Sequence, residues 1–132
     1  MKRIALLISA LAILLFVTAC RGTAGTIWQE QYDLGVRYLS EGNYEEAIIA
    51  FTAVIEIDPK NIDAYLGRAN AYIGSGETEE SLAVALADYQ TVLELDDTRI
   101  DAYLGMADVY IRQGEYENAI EILKIGLEKT KD

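Results

Sequence analysis

Apolar side chains recur along residues 27–132 at the spacing of one helix face. Ile48, Phe51 and Ile55 sit at i, i+3 and i+7, and Ile120, Leu123 and Leu127 repeat the step. Leu82, Leu86, Tyr89 and Leu93 keep helical spacing between them. Turn and cap signals divide the pattern. Asn43 with Glu46 reads as a capping box, Thr98 with Asp101 as a close variant, and Thr78 as a cap before Glu79 and Glu80. Asp58-Pro59 and Asp96-Asp97 read as helix ends. The pattern predicts six helices near 27–40, 44–57, 62–74, 79–96, 99–112 and 116–130, an all-α chain.

The helices come in pairs that repeat. Tyr38, Tyr72 and Tyr110 each stand four residues before Gly42, Gly76 and Gly114, and Ala47, Ala85 and Ala119 follow. The Tyr spacings are 34 then 38, and the Ala spacings 38 then 34. The four extra residues therefore lie between Gly76 and Ala85, which predicts a fourth helix one turn longer at its start. Small residues at Gly35, Ala69 and Ala107, and at Ala47, Ala85 and Ala119, let paired helices approach closely. Tyr38, Tyr72, Tyr110, Phe51, Tyr89 and Leu123 fill the space around them.

This arrangement resembles the tetratricopeptide repeat, a 34-residue helix–turn–helix unit with the pattern W-x2-L-G-x2-Y, A-x3-F, P. The first repeat reads Gln31, Leu34, Gly35, Tyr38, Ala47, Phe51, Pro59, and only the Trp position departs. The second reads Tyr65, Arg68, Ala69, Tyr72, Ala85, Tyr89, Asp97, and the third Tyr103, Met106, Ala107, Tyr110, Ala119, Leu123, Lys131. The resemblance implies a helical-hairpin solenoid of three repeats, about 28–61, 62–99 and 100–132.

It also implies a concave groove lined by the first helix of each repeat. Position 5 of these helices is Tyr32, Leu66 and Leu104, and position 12 is Leu39, Ile73 and Ile111. Position 9 is Val36, Asn70 and Asp108, and position 2 is Gln29, Asp63 and Asp101. Two readings of the apolar stripe at positions 5 and 12 stand side by side: burial by neighbouring helices, or a groove for an apolar peptide or amphipathic helix with a basic flank. Family members that grip acidic chaperone tails do so with Lys, Asn and Arg. Those places here hold Tyr32, Val36, Gly67, Asp101 and Gly105, so binding of a C-terminal carboxylate is not expected. Tyr32, Tyr44 and Tyr116 are the tyrosines freest of repeat positions. On the sixth helix Ile122 and Ile125 replace Asp88 and Thr91 of repeat two, either packing within the last pair or meeting a second copy or partner.

The N-terminus has a different grammar. Met1-Lys2-Arg3 is positive, Ile4 to Val17 is almost wholly apolar, and Val17-Thr18-Ala19-Cys20 closes the run. That is the secretory signal pattern. From Ile4 to Ala19 a helix would extend about 24 Å against a bilayer core of ~30 Å, short for a permanent span. Val17-Thr18-Ala19-Cys20 resembles a bacterial lipobox, which implies cleavage after a signal peptide of residues 1–19 and a lipidated Cys20. Residues 20–26 then form the acylated Cys and a short linker to the repeats at 27–132. Acyl chains, at about 0.8 kcal/mol per buried CH₂, anchor stably when two or more are present. The expected place is the extracytoplasmic face of the cell membrane.

Charge and composition narrow the function. The chain has 11 basic and 22 acidic residues, a net charge of −11, which disfavours a phosphate backbone as partner. It has no His and one Cys, so a His-based triad, a Cys/His zinc site and an internal disulfide are excluded. Phosphate-loop and nucleophile-elbow motifs are missing. Paired carboxylates such as Glu45-Glu46 and Glu79-Glu80 fall at helix starts, where they complement the dipole. No catalytic residue, metal site or cofactor is expected. The sequence reads as a membrane-anchored adaptor or assembly factor for a protein or peptide near the bilayer, with a self-associating structural lipoprotein as the alternative.

Overall fold

The computed structural model describes residues 25–131, and all regular structure within them is helical. The expected signal peptide and Cys20 lie outside the described residues. The helices are α1 (25–41), α2 (Tyr44–Ile57), α3 (Ile62–Ser75), α4 (Glu79–Leu95), α5 (Ile100–Arg112) and α6 (Tyr116–Lys129). They form three hairpins. The predicted insertion is present: α4 has 17 residues against 14 in α2 and α6, and it begins at Glu79 under a cap in which Thr78 Oγ1 accepts from Ser81 N–H.

Other helix starts differ from the sequence reading. Asn43 caps nothing; its side-chain amide donates to Glu41 at 3.1 Å. The turn before it is closed by backbone instead. Gly42 takes φ of +77° and the Asn43 N–H reaches Tyr38 O at 2.9 Å, which ends the preceding helix without side-chain help. Gly114 repeats this geometry before α6. Thr98 does not cap α5 either, since Arg99 holds that place. Asp96 Oδ1 accepts from both the N–H and the hydroxyl of Thr98, at 3.0 and 2.6 Å, and these bonds hold the Asp96 carboxyl below its ordinary pKa. The cap that sequence reading missed is Asn61, whose side chain accepts from Ala64 N–H at 3.0 Å.

Two apolar clusters form the core, and each sits at a joint between repeats. Phe51, Val54, Ala47, Ala64 and Ala71 make the first. Tyr89, Val92, Leu82, Ala85, Met106 and Val109 belong to the second. At each joint an aromatic ring from one repeat covers a glycine of the next. Phe51 lies over Gly67, and Tyr89 over Gly105, so closely that a Cβ at either glycine would collide with the ring. The small residues do permit the close helix contacts expected of them: Ala47, Ala69 and Ala85 are fully buried. Enlarging one should strain the contact. Ala85→Leu is expected to lose about 1–3 kcal/mol in urea unfolding, and an unchanged midpoint would refute the helix contact at that position.

The packing is one-sided. α3 and α5 approach each other, whereas α2, α4 and α6 do not approach one another. The stack is therefore tighter along the first helices, which makes theirs the concave side.

Candidate functional site

The apolar stripe expected in the groove is mostly the seam of the solenoid. Leu66 and Ile73 are half-buried against the second core cluster, on the side where α3 meets α5. Tyr32 and Leu39 pack against the first cluster, and the Tyr32 ring meets Phe51 edge-on at 5.8 Å. Positions 5 and 12 point into joints, and a following repeat covers them. Only Val36 on α1, and Leu104 and Ile111 on α5, stay exposed among the apolar candidates. Tyr44, expected to be free, lies against Gly74, while Tyr116 is exposed.

Beside Val36, Leu104 and Ile111, polar side chains line the first helices. Tyr89 lies between α4 and α5, and its hydroxyl donates to Asn70 Oδ1 at 2.6 Å. Burial first, and then the Asp108 carboxylate, push the Tyr89 phenol up to about 12, so it stays a donor at physiological pH. With Oδ1 engaged, the exposed Asn70 side chain presents its Nδ2 amide as a donor. Two arginines pair with carboxylates of α3, α5 and the turn after α3. Arg99 donates to Asp63 at 3.0 Å and stands 3.6 Å from Asp101, tying α3 to α5. Arg112 donates from Nε to Asp108 at 2.8 Å and from Nη1 to Glu77. Burial raises the Tyr32 phenol, and Asp63 and Asp33 add to the rise against the opposing Arg99.

Arg99, Arg112, Glu77 and Tyr89 were not among the site residues expected from sequence. Asp108 with Arg112 was readable as an i, i+4 pair. Arg99 with Asp63, 36 residues apart, had no local signal.

The structure also explains why the carboxylate-gripping chemistry is missing. Gly67 and Gly105, two of its places, are roofed by Phe51 and Tyr89, which leaves no room for a longer side chain. Of the two readings of α6, packing within the chain holds for Ile122, which packs back onto the repeat-two cluster, while Ile125 stays 39% exposed beside Tyr110. Among the described residues no group of His, Cys, Asp or Glu gathers in the manner of metal ligands, and no helix is long and apolar enough to cross a membrane.

Paired helices stacked one-sidedly define a helical repeat scaffold. Residues 35–76 match the family pattern described as TPR repeat, and residues 79–132 the pattern described as tetratricopeptide repeat. The chain is a tetratricopeptide-repeat protein. No curated protein sequence matches it. Among solved structures it is similar to the TPR2B domain of yeast Sti1 in complex with pHsp70, at 27% identity and a TM-score of 0.72, over 79% of this chain and 80% of that one. It is similar to the first TPR of Spaghetti (RPAP3) bound to the HSP90 peptide SRMEEVD, at 25% identity and a TM-score of 0.69, over 79% and 81%. A MamA double mutant shares the fold at 22% identity and a TM-score of 0.69, over 77% of this chain and 55% of that one.

Proposed function

We propose that this protein is a lipid-anchored adaptor or assembly factor on the extracytoplasmic face of the cell membrane, whose repeats bind a peptide or short helix of another protein in the concave groove. The anchor rests on the signal pattern and on Cys20 after Val17-Thr18-Ala19. The groove rests on one observation: Asp63 and Asp101 share Arg99, and Asp108 and Glu77 share Arg112, an excess of carboxylates over guanidinium groups in these two pairings. The Spaghetti domain holds an acidic peptide. The groove here carries the opposite excess, so its ligand is a peptide with basic side chains, its backbone met by Asn70.

Crosslinked recovery from native membranes tests this reading. Asp101→Lys with Asp108→Lys reverses two largely exposed charges at little cost to the fold. Like charges brought together at an interface weaken binding by about tenfold or more. A partner recovered with the wild type and lost with the double variant is expected. Recovery unchanged by the reversal would remove the groove from the proposal. Retention in the soluble fraction of Cys20→Ser, against membrane retention of the wild type, checks the anchor.

A further inference from the structure

We propose that the outward face of repeat three docks a second copy of this chain about a two-fold axis, with α6 antiparallel to its counterpart. The face has a template inside the molecule. In repeat two, Ile62, Leu66, Ile73, Leu86, Tyr89 and Leu93 pack in the cluster that α5 completes. One repeat further on, the same places hold Ile100, Leu104, Ile111, Ile120, Leu123 and Leu127. These six are between 38% and 61% exposed. Four of them, Ile100, Leu104, Leu123 and Leu127, line one cleft between α5 and α6. Repeat three thus presents the surface that in repeat two is covered by a helix, and no described residue covers it.

Its size suits a stable contact. Half-exposure of six large aliphatic side chains amounts to about 600 Å² per copy, or ~1,200 Å² in a pair, which is where specific interfaces begin.

Charge selects the occupant. The chain carries −11 overall, so most of its surface repels a second copy. The end of α6 is the exception. Of the lysines within the described residues, Lys124, Lys129 and Lys131 cluster here and only Lys60 lies elsewhere. The first half of α6 carries Glu117 and Glu121. Glu117 opens α6 and Lys131 stands just past its end, seven residues before and after Lys124. Neither is ion-paired within the described chain. An axis at the level of Lys124 sets Glu117 of each copy against Lys131 of the other. Lys124 meets its own copy near the axis, and Glu121 of each copy comes level with Glu128 of the other, so the flank is mixed in sign. The pairing of Glu117 with Lys131 recurs on both sides of such an axis, as a two-fold contact requires. The contact uses the end of the stack and leaves Asp63 and Asn70 of both grooves open, so one assembly offers two grooves.

Sedimentation equilibrium of the full chain in detergent, with lysine crosslinking in membranes, tests the pairing. The wild type is expected as two copies. Leu104→Glu with Leu127→Glu, both more than half exposed, is expected as one copy with its helical content intact. Ile49→Glu, at an exposed site on repeat one, is expected to stay paired. Glu117→Lys should weaken association about tenfold, since two symmetric surface pairs become repulsive. Adding Lys131→Glu should restore it. A wild type that stays single at high micromolar concentration overturns the proposal. So does pairing indifferent to the end-face change, a charge swap that restores nothing, or crosslinks from Lys124 to a different protein in place of its own copy. None of these outcomes depends on the groove variant above.

Discussion

Asp88→Ile alone should cost the domain about 3 kcal/mol, and combining it with Arg68→Met should bring stability back to within about 1 kcal/mol of the wild type. Arg68 on α3 donates from Nε and Nη2 to the two oxygens of Asp88 on α4, at 2.8 and 2.7 Å. Its Nη1 donates to Thr52 on α2 at 3.2 Å, so one guanidinium ties three helices. The Asp88 side chain is 5% exposed and that of Arg68 18%. The hydrogen bonds to Asp88 hold the Arg68 guanidinium above its ordinary pKa, against the opposing effect of burial. Removing the carboxylate therefore leaves a charge in a place with little water. The loss belongs at the low end of what broken buried pairs cost, because Arg68 keeps Thr52 and some solvent. The double change has a precedent inside the chain. Repeat one holds Leu34 and Ala50 at these two places, and repeat three holds Met106 and Ile122. Met106 and Ile122 belong to the same apolar cluster. Urea unfolding of both singles and the double gives the coupling, expected at about 2–3 kcal/mol. A single Asp88→Ile as stable as the wild type would show that the ion pair holds nothing.

The same pair shows where sequence reading succeeds and where it stops. The recurrence of Tyr, Gly and Ala made the helix pairs legible because Ala47, Ala85 and Ala119 sit in buried helix contacts while Gly42, Gly76 and Gly114 take the positive φ of the turns between helices. The unequal spacings located the longer α4 for the same reason. Ile122 was misleading when compared with Asp88 alone. Its meaning lay in Met106, which faces it from another helix and changes in step. The apolar stripe was left open between burial and groove for a related reason. Periodicity assigns Leu66 and Ile73 to a face but does not say whether a neighbour covers that face, and the approach of α5 to α3 does cover it. Capping boxes were misread because Gly42 closes its turn through backbone hydrogen bonds, leaving Asn43 nothing to cap. The ionic lattice of Arg99 with Asp63 was invisible for a simpler reason: its partners meet only after two helices have stacked.

Phe51→Ala should produce the largest single loss, about 3–5 kcal/mol. Phe51 is 1% exposed and sits at the joint of repeats one and two. Its ring lies against Gly35 of α1 and Gly67 of α3; a Cβ on Gly35 would stand 2.8 Å from Cε1, and one on Gly67 closer still. Deleting the ring opens a void that two helices must collapse to close, and the Tyr32 ring loses its edge-on partner at 5.8 Å. The glycines make a sharper test than the cavity. Gly67→Ala in the wild type should be destabilising by about 1–3 kcal/mol, because the new methyl meets a ring that cannot move. In the Phe51→Ala background the same change should become stabilising by up to about 1 kcal/mol, since the obstruction is gone and alanine favours helix over glycine. Urea midpoints of the four chains would show this reversal of sign. Equal costs for Gly67→Ala in both backgrounds would mean that the ring is not seated on Gly67. The joint also reaches the concave face. Phe51 sets how closely α1 and α3 approach, and with it the placement of Tyr32 beside Asp63. A chain with both alanines should therefore recover stability while binding its peptide less tightly, which separates the joint's part in folding from its part in shaping the groove.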